Sequence, residues 1–281
     1  MSVPNPRTAE RTVVDGDVYV APRYLAGSPG HGDPGFAPVA HWPHHHFDDG
    51  PHQLVVTSPD HRIRIGWAGD DYELWTITAA PDAVSAPRWE ATFNQNTSPE
   101  LVAPLTAQLA TDWADGNDRF LTAPSYQWAE AVGALAEAGW TRGPGERGMV
   151  QLTAPDNSAG LRIDGYAADD RTWMLWAGPK GWGTRAEITF TSRTPAHLIA
   201  TVAQAFTDPA PVPRWRETLH PRLAALAQLT PIAPPRPPVP TPRDIRPRIG
   251  MRPPAPATSV PRWTTSSTPS ARLPVRSAPR R

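Results

Sequence analysis

The chain has 281 residues, no cysteine, and 27 basic against 27 acidic residues. That length allows one or two domains, and the missing cysteine excludes disulfides and any thiolate ligand or nucleophile. No apolar run approaches the roughly 18 residues that a membrane span requires. The neutral total hides a split: residues 230–281 hold 10 Arg and a single acid, Asp244, leaving 17 basic and 26 acidic residues in 1–229. An acidic body with a basic tail hints at polyanion contact or self-association. Lys180 is the only lysine, a usage attributed to GC-rich coding. The opening Met1-Ser-Val-Pro-Asn-Pro-Arg7 has no apolar signal-peptide core, so a cytoplasmic protein is expected.

In chain order, Val18 and Val20 alternate with polar neighbours, which predicts a short strand stopped by Pro22 and Gly27. Residues 28–50 are rich in Gly, Pro, His and Asp and read as a long loop. Leu54-Val-Val-Thr57 then leads into a turn at Ser58-Pro59-Asp60, where Pro presets φ and Asp can bond the following backbone. Ile63, Ile65 and Trp67 alternate with Arg62 and Arg64 in a second strand. Ala68-Gly-Asp-Asp71 is a hairpin turn, a third strand covers 72–78 with Leu74, Trp75 and Ile77, and Trp89, Ala91 and Phe93 mark a fourth. Ser98 and Pro99 suit the start of a helix whose face is Leu101, Leu105 and Leu109. Pro104 inside it predicts a kink or a late start.

The same pattern returns. Pro59 and Pro155 stand 96 residues apart, as do Pro99 and Pro195, and such self-similarity is the signature of a repeated structural unit. In the second copy Leu161 and Ile163 flank Arg162, Ala167-Ala-Asp-Asp170 echoes the hairpin turn, and Trp173 to Trp176 form the third strand. Ile188 and Phe190 mark the fourth strand, and Thr194-Pro195 caps a helix with Leu198, Val202 and Phe206 on its face. Between the copies, Ser125 caps a helix carrying Trp128, Val132 and Leu135 that Gly139 ends. A short helix over 221–229 follows, and 232–281, with 14 Pro and no apolar period, reads as disordered. The expected fold is α+β: two tandem β-β-β-β-α units with antiparallel sheets, an inter-repeat helix and a disordered tail. The expected divisions are 1–50, 51–115, 116–144, 145–210, 211–229 and 230–281.

Candidate chemistry is sparse. Gly143-Pro-Gly-Glu-Arg-Gly148 matches a dinucleotide fingerprint in letters, but a helix precedes it and a strand follows, so it reads as a loop. His41, His44, His45, His46 and His52, with Asp48 and Asp49, could ligate zinc or nickel, yet consecutive histidines diverge and nothing preorganises them. Asp70-Asp71 and Asp169-Asp170 fall at matching turns, where turn chemistry alone favours Asp. Trp67, Trp75, Trp89, Trp173, Trp176 and Trp182 all fall in sheet regions; core packing uses such residues, and so does a base-stacking platform. No nucleophile motif is present, and no cofactor or catalytic residue is assigned.

Ser58-Pro59-Asp60-His61 and the more degenerate Ala154-Pro155-Asp156-Asn157 resemble the signature of the SPDY domain family of streptomycetes, a domain of unknown function usually found in two copies. Tyr24-Leu-Ala-Gly27 and Ala138-Gly-Trp140 also look like that family, and the resemblance covers about 17–210. It implies no catalytic residue, ligand or mechanism. The signature itself reads as a β-turn. The leading expectation is a non-enzymatic interaction module with a protein partner and no membrane contact. The alternatives are nucleic-acid binding through the tail and the sheet tryptophans, and an enzyme with a site between the repeats. The residues singled out as an interaction surface are Trp67, Trp75, Trp173 and Trp176, with Arg243, Arg246, Arg248 and Arg252 of the tail.

Overall fold

Period-two alternation sorts the strand residues onto two faces. The first repeat contributes β3 (Leu54–Thr57), β4 (Ile63–Trp67), β5 (Glu73–Ala79) and β6 (Trp89–Asn94). The second contributes β8 (Met149–Thr153), β9 (Ala159–Asp164), β10 (Trp173–Ala177) and β11 (Ala186–Phe190). A computed structural model describes residues 17–47, 54–68, 73–124, 128–144, 148–181 and 183–232. All of these belong to one compact unit, Met1–Pro235; a second unit, Arg236–Arg281, lies outside the described residues, and with it most of the tail expected to be disordered.

The expected fold class holds, and the two sheets prove to be halves of one. β6 and β11 pair antiparallel, so a single ten-stranded sheet runs through both repeats. The joint places matching residues against each other. Glu90-Ala-Thr-Phe93 meets Glu187-Ile-Thr-Phe190 with Thr92 directly opposite Thr189. The two buried hydroxyls hydrogen-bond at 2.8 Å, and the Phe93 and Phe190 rings meet edge to face at 6.3 Å. Equivalent residues facing each other define a local pseudo-two-fold axis through the Thr92–Thr189 pair.

Helices cover one face. α2 (Pro99–Ala114) and α4 (Ala196–Thr207) follow their repeats, and α3 (Trp128–Glu137) precedes the second. Leu101, Leu105 and Leu109 of α2, Val132 and Leu135 of α3, and Leu198, Val202 and Phe206 of α4 are buried against Ile65, Ile77, Leu161, Leu175 and Ile188. α2 starts at Pro99 and runs through Pro104, so the late start did not occur. A proline there forfeits only the bond to the Glu100 carbonyl. Gly139, at φ +80°, ends the turn after α3 as expected, while Ser125 lies outside the described residues.

Three stretches differ from their reading in sequence. The 28–50 loop contains a helix, α1 (Asp33–Phe36), a 3-10 turn (Ala37–Val39) and an edge strand, β2 (His44–His46). Phe36, Val39 and Trp42 are buried at three-residue spacing, a period that the surrounding Gly, Pro and His obscured. β2 has its counterpart in β7 (Thr141–Arg142), the opposite edge of the sheet. At the C-terminal end, α5 (Pro221–Leu226) stops before 229, and Gln228–Pro231 is a strand, β13. It pairs with β1 (Asp17–Ala21), whose other edge pairs with β12 (Val212–Trp215), giving a three-stranded sheet over Val18, Val20, Ala26, Val212 and Leu219. Residues at both ends of this unit therefore close one small sheet, which local periodicity does not reveal.

Arg214 of β12 fastens that small sheet to the start of α2. Its guanidinium donates to both Glu100 carboxylate oxygens (2.8 and 2.6 Å), to Ser98 Oγ (3.0 Å) and to the Ala26 and Gly27 carbonyls (both 3.2 Å). The Ser98 hydroxyl donates to the same carboxylate. Burial alone would raise the Glu100 pKa; the Arg214 hydrogen bonds and charge outweigh it and hold the group below its ordinary value.

Candidate functional site

The motifs that carried the family resemblance are structural devices. In both signature turns the last residue adopts a left-handed backbone, His61 at φ 59° and Asn157 at φ 58°. Asn accepts that region more readily than most residues, and His does so to a lesser degree. Asp60 and Asp156 each accept from the amide two residues on, Arg62 (3.3 Å) and Ser158 (3.0 Å), as the turn reading requires. The second signature is also a docking point, since Tyr24 of the Tyr24-Leu-Ala-Gly27 motif donates its hydroxyl to Asp156 at 2.8 Å. Burial first, then the hydrogen bond and charge of Asp156, push the phenol well above its usual range. Trp140 packs edge-on against Phe206 at 6.2 Å.

The residues predicted to form an interaction surface separate into three groups. Trp75 and Trp173 are core residues, 1% and 7% exposed, and cannot present a stacking face. Trp75 lies against Phe36 and in van der Waals reach of Gly32 and Gly35, the space where the unanticipated α1 docks. Trp67 is half-buried and packs against the same core. Trp176 differs, because alternation with Leu175 and Ala177 turns it to the face away from the helices. Arg243, Arg246, Arg248 and Arg252 lie outside the described residues, as do Trp182, Asp70, Asp71, Asp48, Asp49 and His52. His44, His45 and His46 are exposed along β2, and among the described residues no three His, Asp or Glu side chains converge as a metal site.

Around Trp176 the open face carries a cavity of about 390 Å³. Its floor is the indole, pressed against Gly160 on the neighbouring strand: a Cβ at position 160 would sit 2.4 Å from the ring, so only glycine fits. The Arg185 guanidinium lies over the same ring, 4.0 Å from the centroid. Arg162 of β9 and Lys180 line the walls with Gln151, Asn157 and Met174. The Lys180 loop is held in shape by Gly178, at φ +89° and with no room for a side chain beside the Thr184 carbonyl. Thr184 Oγ1 donates to the Pro179 and Gly181 carbonyls, both at 3.1 Å.

The charged side chains among the described residues that line this cavity are all cationic. Desolvation lowers the Arg185 pKa, Glu187 at 3.8 Å opposes that, and the like charge of Arg162 lowers it further. The Arg185 Nε–H is buried without a hydrogen-bond partner among the described residues. Among the described residues no carboxylate lines the cavity. The sequence reading missed this cluster and set Lys180 aside as compositional. The available signal was the difference between the copies: register places Gly66 at the position of Arg162 and Thr78 at that of Trp176, and the shared Ala-x-Pro places Asp82 at that of Lys180.

Other clefts occur among the described residues. A groove of about 570 Å³ between α2 and α4 is lined by Gln108, Thr111, Thr201 and Gln204, and its cation, Arg23, is already engaged by Asp208 at 2.7 Å. A shallower one of about 300 Å³ lies beside α5. Among the described residues no helix is long and apolar enough to cross a membrane. No curated protein and no solved structure matches the chain. Residues 57–113 and 153–212 match the model of a domain of unknown function (DUF317), so the chain carries two tandem segments similar to the SPDY domain.

Proposed function

We propose that this tandem SPDY protein is a non-enzymatic cytoplasmic interaction module whose binding surface is the open face of the ten-stranded sheet. The observation behind the reading is the one-sided packing of that sheet. Core residues such as Ile77, Phe93 and Ile188 point to the helices, while Thr76 and Met174 alternate onto the other face, with the buried Thr92–Thr189 pair between them. A face shared by two repeats offers a partner a broad, mostly polar surface, and antiparallel sheets commonly keep one face open to water. The His–carboxylate pair between helices favours a structural rather than a catalytic role: the half-buried His197 meets the wholly buried Asp112 at 2.7 Å, and Gln108 bonds the same carboxylate, so the pair ties α4 to α2.

Nucleic-acid binding by base stacking draws little from the sheet. Trp75 and Trp173 are buried, and Trp176 is packed against Gly160 and stacked with Arg185. That reading rests on the tail arginines. Affinity capture from native cells with wild type, Thr76→Arg on the open face, and Gln204→Arg on the helical face tests the proposal. A partner lost only with Thr76→Arg supports it. Equal capture by all three would overturn it.

A further inference from the structure

Each half of the sheet has an equivalent position for every element of the cavity, yet only the second half has built one. In the first repeat Arg64 occupies the Gly160 position and donates to the Ala83 carbonyl at 2.6 Å. Gly66 leaves the Arg162 position without a side chain, and Asp82 places a carboxylate where Lys180 stands. Arg88, the counterpart of Arg185, is exposed. The second repeat thus places Arg162 and Lys180 where the first has Gly66 and Asp82, has Gly160 in place of Arg64, and seats Arg185 on an indole, all around one concavity. Gathering like charges is unfavourable in an empty site, and Arg162 lowers the Arg185 pKa. An anion between them would offset that repulsion.

We propose that the cavity around Arg185 binds the phosphate group of a small phosphate monoester. This deepens the open-face reading and rests on it. Among the described residues three cations line the space and no carboxylate does, with Glu187 the partner of Arg185 from outside the lining. A phosphate monoester near pH 7 carries about −1.5 to −2 charges and three acceptor oxygens, a better match to this set than a monovalent carboxylate. Arginine presents a planar donor fork to such an anion and lysine a point charge. Stacking on Trp176 fixes the Arg185 plane before the ligand arrives, which lowers the ordering cost. At about 390 Å³ the cavity falls at the small end of ligand sites and admits a body beyond the phosphate. A nucleic-acid backbone fits less well, since it needs a continuing basic track and this face continues into Glu187 and Glu90.

The test uses the full chain and inorganic phosphate as probe, at low ionic strength, with the arginine Nε–H resonances followed by ¹⁵N NMR. Sodium chloride and sodium acetate at matched ionic strength are the references. A saturable shift of the Arg185 Nε–H with phosphate, absent with the references, is expected. Lys180→Asp and Arg162→Gln should each weaken it about ten-fold or more, the scale of one charged hydrogen bond, and Arg88→Gln should leave it unchanged. Circular dichroism of each variant confirms that it is folded. Equal shifts with chloride or acetate, variant titrations that superimpose on wild type, or random-sequence single-stranded DNA binding here more tightly than phosphate would each overturn the proposal. The capture experiment stays separate: Thr76 lies on the first repeat, so a lost partner there with no phosphate binding here would sink the pocket alone.

Discussion

Replacing Arg214 by Met keeps most of the side chain's volume and removes only its charge and donors. Six hydrogen bonds disappear, two of them to the Glu100 carboxylate, whose side chain is 19% exposed in the folded protein. Breaking a buried ion pair from one side costs about 3–5 kcal/mol; the residual exposure of Glu100 places this case near about 3 kcal/mol at neutral pH. The pH dependence identifies the cause. In the wild type the Glu100 pKa is held below its ordinary value by Arg214, so its contribution is present above the unfolded carboxylate pKa of about 4.3 and is lost as pH falls through the lower folded value. In Arg214→Met burial dominates and the sign reverses, because protonation now relieves a stranded charge. Urea denaturation followed by tryptophan fluorescence should show a gap of about 3 kcal/mol near pH 7 that narrows toward about pH 4. A gap below about 1 kcal/mol, the worth of a surface pair, or one that is flat with pH, would refute the reasoning.

Trp75→Ala should cost about 3–5 kcal/mol, the range for emptying a buried aromatic site, and loosen the α1 segment that packs on it, visible as faster amide exchange over 33–39. Thr92→Val or Thr189→Val alone leaves the other hydroxyl buried and unpaired, at about 1–2 kcal/mol each, whereas the double variant should recover part of that loss. A double-mutant cycle showing plain additivity would deny the hydroxyl pair. Gly160→Ala should drive its methyl into the indole, costing about 1–3 kcal/mol and displacing Trp176; an unchanged crystal structure or melting temperature would contradict the contact.

Much of the scaffold could be read from the chain because strands with one wet face keep a clean alternation. Ile63-Arg-Ile65 and Leu161-Arg-Ile163 show which side is buried before any partner strand is known. Ser98-Pro99 and Gly139 marked helix ends by local chemistry. What was hidden depends on pairing over distance. Nothing within Glu90–Phe93 says that its neighbour is its own copy, since the hydrogen bonds that join β6 to β11 belong to the backbone and any sequence can make them. β13 is mostly exposed and has no apolar period, and only the waiting edge of β1 makes it a strand. The cavity was obscured for a related reason: Arg162, Lys180 and Arg185 each look ordinary on a solvated strand or turn, and only the register that sets Gly160 beneath Trp176 brings them around one space.

The pairing of Thr92 with Thr189 also bears on how such a protein can diverge. Two identical copies meeting through this edge would form the same ten-stranded sheet as a homodimer, but every change in the gene would then appear on both sides of the axis. A Lys-for-Asp replacement that helps one half would be imposed on the other as well. Carrying both halves in one chain removes that constraint. One copy can hold Arg64 in a local contact with the Ala83 carbonyl, while its twin carries a charged recess in the same place.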